Sequence, residues 1–166
     1  MLDRYNRKIN YLRVSVTDRC NLRCAYCMPE GGITQLKHED ILTFDEITEF
    51  IKEAVSFGIN KVRITGGEPL VRKGIVNLVQ MIAEIPGIND LSMTTNAVLM
   101  SQFAKPLWDA GLRRINVSLD TLDPEKFRLI TRGGDINDVL KGLEEAKKIG
   151  FNPIKINCVI DKSSND

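Results

Sequence analysis

The chain has 166 residues, 43% hydrophobic and 27% charged, with 23 basic and 22 acidic side chains that leave a formal net charge of +1. Those values suit one globular domain with its own core and argue against disorder. They also argue against generic nucleic-acid or membrane-surface binding, which shows as a basic excess. No apolar run approaches the roughly 20 residues that cross a bilayer. The charged start, Met1 to Lys8, has no apolar stretch behind it and does not read as a signal peptide. The expected compartment is therefore the cytosol.

In chain order, residues 12–17 alternate apolar and polar side chains and predict a first strand. A cysteine-bearing loop follows. Thr43 and Glu46 stand at capping-box spacing, with Phe44 at the helix mouth and Gly58 past its end; the predicted apolar stripe is Ile47, Phe50, Ile51, Ala54 and Val55. Residues 62–65 predict a second strand that runs into the turn Gly66, Gly67, Glu68 and Pro69. A helix through Val76, Leu78, Val79 and Ile82 comes next. Residues 91–95 predict a third strand, residues 101–110 a helix, and residues 115–119 a fourth strand. Asp123 and Pro124 suit the N-cap and first position of a short helix, and Val139, Leu140, Leu143 and Ala146 form one face of a longer one. Residues 154–159 predict a fifth strand.

Strands alternating with helices imply right-handed crossovers and a parallel sheet. A flat doubly wound sheet would make its inner strands nearly continuous apolar runs. These strands alternate instead. Leu12, Val14, Val16, Val62, Ile64, Leu91, Met93, Ile115, Val117, Leu119, Ile154 and Ile156 fall on one face, where the helices should pack. Arg13, Ser15, Thr17, Arg63, Thr65, Ser92, Thr94, Asn116, Ser118, Asp120, Lys155 and Asn157 fall on the other. One polar face suits a sheet curled into a barrel, or part of one, with a ligand inside; the competing reading is an amphipathic sheet with one face in water.

Cys20, Cys24 and Cys27 place three soft donors in one loop directly after the first strand. A structural zinc site wants a fourth protein ligand. His38 could supply it, whereas Cys158 falls with Ile154 and Ile156 on the helix-facing side and reads as a small core residue. A cubane iron–sulfur cluster with three cysteine ligands and one open iron matches the spacing better.

This loop, with Tyr26 just before its last cysteine, resembles the radical S-adenosylmethionine superfamily. The turn Gly66-Gly67-Glu68-Pro69 is similar to the superfamily's second motif, which holds the methionine amino group of the cofactor. Residues 12–20, 26–30, 62–70 and 111–120 resemble one family within it, the GTP 3′,8-cyclases of molybdenum cofactor (molybdopterin) biosynthesis.

The resemblance implies an α/β fold, a partial (β/α)6 TIM-like barrel of about five strands, with residues 1–166 forming its radical core. It implies a [4Fe-4S] cluster on Cys20, Cys24 and Cys27 whose open iron chelates S-adenosylmethionine. Cleavage to a 5′-deoxyadenosyl radical would remove hydrogen from C3′ of GTP, and the sugar radical would attack C8. Tyr26, Gly67 and Ser118 would contact S-adenosylmethionine; Arg13, Arg63, Thr94 and Lys155 would contact GTP. Three inward cations suit a triphosphate, the alternative being ion pairs with Asp120 or Glu68. Implied partners are an electron donor such as flavodoxin or ferredoxin, the downstream cyclic pyranopterin monophosphate synthase, and a second copy in a homodimer, with no nucleic acid or membrane.

Family members run to about twice this length and carry a second [4Fe-4S] cluster near the C-terminus. The chain is therefore expected to correspond to an N-terminal part, short of the closing strand and not fully active alone. Ala97 stands where the family usually has glycine. Arg113 and Arg114 read as a solvated turn, Gly133, Gly134 and Asp135 as a helix-leading turn, and Met93, Met100 and Trp108 as packing. Two other readings remain open: a different radical enzyme such as a peptide maturase, and a non-enzymatic iron–sulfur or zinc module.

Overall fold

The computed structural model describes residues 2–162, except for the side chain of His38, so the alternative zinc ligand at that position lies outside the described residues. Five strands form one sheet: β1 (Tyr11–Ser15), β2 (Lys61–Thr65), β3 (Asp90–Thr95), β4 (Arg114–Ser118) and β5 (Ile154–Asn157). They pair in sequential order and every pairing is parallel. Sequential order leaves no switch point at which helices change sides, so right-handed crossovers put all of them on one face. The helices are α1 (Phe44–Ser56), α2 (Ile75–Ala83), α3 (Met100–Asp109), α4 (Pro124–Thr131) and α5 (Ile136–Ile149).

Local chemistry sets the helix ends. Thr43 caps α1 and Glu46 reaches back to the Thr43 N–H, completing the capping box. Asp123 accepts from the N–H groups of Glu125 and Lys126 at the start of α4, and Asp135 accepts from Asn137 at the start of α5. Gly150 closes α5 at φ 115°, a left-handed conformation that glycine enters without a Cβ penalty.

The helix-facing side chains Val62, Ile64, Met93, Ile115 and Val117 are fully buried against Ile51, Leu78, Val79, Ile82, Met100, Leu107 and Val139. Each contributes on the order of 1.5–3 kcal/mol of transfer free energy. α5 packs on α3 through Gly142, where a Cβ would lie 2.5 Å from the Ala97 carbonyl oxygen. Met93 and Met100 are packing residues as expected. Trp108 meets Phe151 edge to face at 5.4 Å.

The opposite face is layered by the register. Arg13, Arg63 and Ser92 are neighbours across β1, β2 and β3; Thr94, Asn116 and Lys155 are neighbours across β3, β4 and β5. Arg13 and Lys155 are exposed, while Ser92 and Asn116 in the middle of the sheet are buried.

Several expectations need correction. Phe50 and Leu140 are 59% and 42% exposed, because the buried arcs of α1 and α5 are narrower than the sequence stripes. Cys158 is an exposed residue rather than a core one: β5 ends at Asn157, and the thiol donates to the Asp120 carbonyl at 3.4 Å. Ile156, though phased with the core, is 49% exposed. Arg114 lies within β4, paired with Asp90 at 3.0 Å, rather than in a solvated turn. Arg113 stacks on Trp108 and donates to its carbonyl.

Candidate functional site

The cysteine loop leaves β1 through Val16 and Thr17, both buried. Val16 still donates to the Thr65 carbonyl, which extends the sheet hydrogen bonding to the foot of the loop. Within the loop the N–H groups of Cys27 and Met28 both donate to the Cys24 carbonyl, at 2.9 and 3.0 Å, and Leu22 N–H points at Cys20 Sγ at 3.4 Å. Leu22 is the loop's buried anchor. It packs beside Gly134, where a Cβ would meet Thr131 Oγ1 at 2.7 Å and Leu22 Cδ2 at 3.0 Å. The Gly133–Gly134 turn thus leads into α5 as expected and also makes room for the loop.

Cys20 and Cys24 are half-buried, Cys27 is exposed, and all three are free thiols. Burial pushes the Cys24 thiol up to about 11, and the neighbouring thiols of Cys20 and Cys27 add to the shift. Burial raises Cys20 as well. The two half-buried thiols, Cys20 and Cys24, resist ionisation on their own and suit a cationic centre that neutralises them. Among the described residues, no three His, Cys, Asp or Glu side chains gather around a single ion. A cubane places each cysteine on a different iron, and three soft thiols in one loop are a donor set that fits such a cluster.

The turn after β2 is fixed by close backbone contact. Gly67 N–H donates to the Thr17 carbonyl at 2.7 Å and Glu68 N–H to the Arg19 carbonyl at 2.8 Å. A Cβ at Gly66 would lie 2.5 Å from Thr17 O, and one at Gly67 would lie 2.3 Å from Arg19 O. Only glycine allows the two backbones to approach so closely, and the segment they touch is the one that delivers Cys20.

Glu68 is 1% exposed and accepts three hydrogen bonds, from Leu70 N–H, Thr95 Oγ1 and Asn96 N–H. Asn96 in turn donates to Asn21 Oδ1 at 2.8 Å, inside the cysteine loop. The two motifs are joined through the end of β3.

Tyr26 reaches across to the end of β4, where its hydroxyl donates to Asp120 Oδ2 at 2.7 Å. Partial desolvation of the hydroxyl end, together with the Asp120 carboxylate it donates to, raises the phenol's pKa. Asp120 Oδ1 accepts from Val159 N–H, tying the loop to the segment after β5. Tyr26, Gly67 and Ser118 therefore all lie at the C-terminal ends of strands. Arg13 and Arg63 lie lower, side by side on β1 and β2, with Thr94 and Lys155 flanking Asn116.

Among the described residues, Arg13, Arg63 and Lys155 form no ion pair. The alternative partners are engaged elsewhere, Asp120 with Tyr26 and Glu68 with Thr95 and Asn96. The Arg63 guanidinium instead lies over the Tyr11 ring at 5.3 Å. The joining roles of Asn96, and of Asp120 toward Tyr26, have no local sequence signal, since their contacts span 75 and 94 positions.

A one-sided parallel sheet with a three-cysteine loop at the C-terminal end of its first strand defines an iron–sulfur enzyme core of the half-barrel type. Residues 14–166 match the Radical SAM superfamily, and the chain belongs to it. Its members use a [4Fe-4S] cluster and S-adenosylmethionine. The chain is 57% identical over its whole length to the GTP 3′,8-cyclase of Thermodesulfovibrio yellowstonii, of which it covers 52%. It is 55% identical, again over its whole length, to the GTP 3′,8-cyclase of Peptoclostridium acidaminophilum, of which it covers 51%. It thus spans about half the length of the curated relatives it matches. Among solved structures, Streptococcus suis SuiB bound to its precursor peptide SuiA superposes with a TM-score of 0.77 at 23% identity, over 92% of this chain and 33% of that one. Methylornithine synthase (PylB) superposes with a TM-score of 0.68 at 18% identity, over 93% of this chain and 47% of that one. Both show the fold alone.

Proposed function

We propose that the chain forms the radical-generating core of a GTP 3′,8-cyclase, which converts GTP to (8S)-3′,8-cyclo-7,8-dihydroguanosine 5′-triphosphate in molybdenum cofactor biosynthesis. The observation that carries the reading is the 57% identity with such an enzyme across every residue of the chain. Arg13, Arg63 and Lys155, which form no ion pair among the described residues, support it, since a triphosphate takes charge-assisted donors.

In this reading Cys20, Cys24 and Cys27 hold the cluster and leave one iron open. When bound, the cluster and S-adenosylmethionine supply a 5′-deoxyadenosyl radical. Tyr26, Gly67 and Ser118 hold S-adenosylmethionine at the strand ends, with the Gly66–Gly67 backbone setting the distance between the cofactor and the loop. Arg13, Arg63 and Lys155 bind the triphosphate and, with Thr94, fix the sugar below the cofactor. The second cluster, the cytosolic setting, an electron donor such as flavodoxin or ferredoxin, homodimer formation and a downstream cyclic pyranopterin monophosphate synthase belong to the same proposal and concern the full-length protein.

The test is anaerobic reconstitution of the chain extended to the length of its relatives. With reductant, S-adenosylmethionine should yield 5′-deoxyadenosine, and added GTP should yield the cyclised nucleotide. Absence of 5′-deoxyadenosine sinks the enzyme reading. Its formation without any cyclised product from GTP sinks the substrate assignment alone.

A further inference from the structure

The cysteine loop is held from one side by the C-terminal turn of α4. Ala25 N–H donates to the Ile130 carbonyl at 2.8 Å and Arg23 N–H to the Thr131 carbonyl at 3.2 Å. These contacts satisfy the last carbonyls of the helix, which have no partner within it, and they bracket Cys24. The next residue, Arg132, completes the arrangement. One nitrogen of its guanidinium donates to the Met28 carbonyl at 2.7 Å and to the Arg23 carbonyl at 3.2 Å. Those two carbonyls flank the segment that carries Cys24 and Cys27.

Arg132 adopts φ 54°, ψ 54°, the left-handed conformation at the end of α4. Such a position ordinarily falls to glycine or asparagine, and Gly133 and Gly134 stand immediately after it. An arginine is therefore held in an unfavourable backbone conformation, and its side chain makes contacts that glycine would forfeit.

We propose that Arg132 is a positioning residue for the metal-binding loop. Its guanidinium draws the two ends of the Arg23–Met28 segment onto one point, so that the thiols of Cys24 and Cys27 are presented in a fixed spacing before iron arrives. Groups that orient metal ligands without touching the metal govern how firmly the metal is kept. The inference rests on the reading of Cys20, Cys24 and Cys27 as cluster ligands.

The test uses Arg132→Gly, which removes the guanidinium and leaves a residue suited to φ 54°, so the fold is spared. Wild type, Arg132→Gly and Arg132→Lys are reconstituted anaerobically with iron and sulfide, and iron release to a chelator is followed by cluster absorbance. Arg132→Gly should lose iron about tenfold faster than wild type, Arg132→Lys should fall between them because an ammonium retains one donor to the loop, and the metal-free proteins should melt together. Wild-type retention in Arg132→Gly overturns the proposal. A metal-free Arg132→Gly that melts several degrees lower also overturns it, because the residue would then support the fold rather than the loop. A wild-type chain that takes up no iron refutes the cluster reading itself, a different result from equal retention.

Discussion

Two connections leave the same end of the sheet, one after β1 and one after β2, and they are built on opposite principles. The first carries the cysteines, has an exposed Cys27 and Tyr26, and owes its shape to contacts with β3, β4 and α4. The second is short, and its Gly66, Gly67 and Glu68 are pressed against the first by backbone contact. A reactive loop needs access for cofactor and substrate, so it sacrifices its own packing; the rigid turn beside it supplies the missing constraint.

That division can be broken most severely at the rigid turn. Gly67→Ala should destabilise the chain by about 3 kcal/mol or more, because the added methyl meets the Arg19 backbone rather than a yielding side chain. Denaturant unfolding would measure the loss, and a variant as stable as wild type would show that the turn is not a support.

On the reactive side, Cys20→Ala, Cys24→Ala and Cys27→Ala should each abolish iron–sulfur absorbance after reconstitution while leaving thermal stability nearly unchanged. Cys158→Ala should leave the absorbance intact, since that thiol is engaged with the Asp120 carbonyl. Loss of absorbance in Cys158→Ala would place it among the ligands.

Glu68 links the two regions. Glu68→Gln puts an amide donor among three N–H and O–H donors and should cost about 1–3 kcal/mol at neutral pH. Burial raises the Glu68 carboxyl above its ordinary value of 4.5, so the folded chain holds its proton to higher pH than the unfolded chain does. The stability linked to that proton is fully present below 4.5 and declines as pH rises through the folded value. Chemical unfolding against pH should show this decline in wild type and a flatter profile in Glu68→Gln. Identical profiles would mean that Glu68 stays ionised throughout.

The smallest effect concerns Ala97, fully buried at φ 61°. Ala97→Gly should stabilise the chain by up to about 1 kcal/mol through relief of the left-handed backbone, less the loss of a buried methyl. A loss of stability would mean that the methyl contact outweighs the strain.

The strand-and-helix alternation was legible because each element carries its own periodicity and caps, such as Thr43 with Glu46 and Asp123 with Pro124. The polar face was legible because alternate residues must point to opposite sides of a strand. Phe50 and Leu140 misled because a helical stripe shows where apolar side chains lie but not how wide an arc its neighbours cover. Cys158 misled because strand phase was carried one residue past the end of β5.

The sequence by itself determined the three thiols in one loop, the glycine pair that permits backbone approach, and the cations set on one side of the strands. These depend on residue type and spacing over a few positions. Only the tertiary structure decided that Asn96, Asp120 and Arg132 converge on the cysteine loop, and that Asp120 and Glu68 are engaged elsewhere than with the cations. The contacts of Asn96, Asp120 and Arg132 with the loop join residues 75 to 109 positions apart, and a separation of that size is closed by strand order and packing, which no local pattern records.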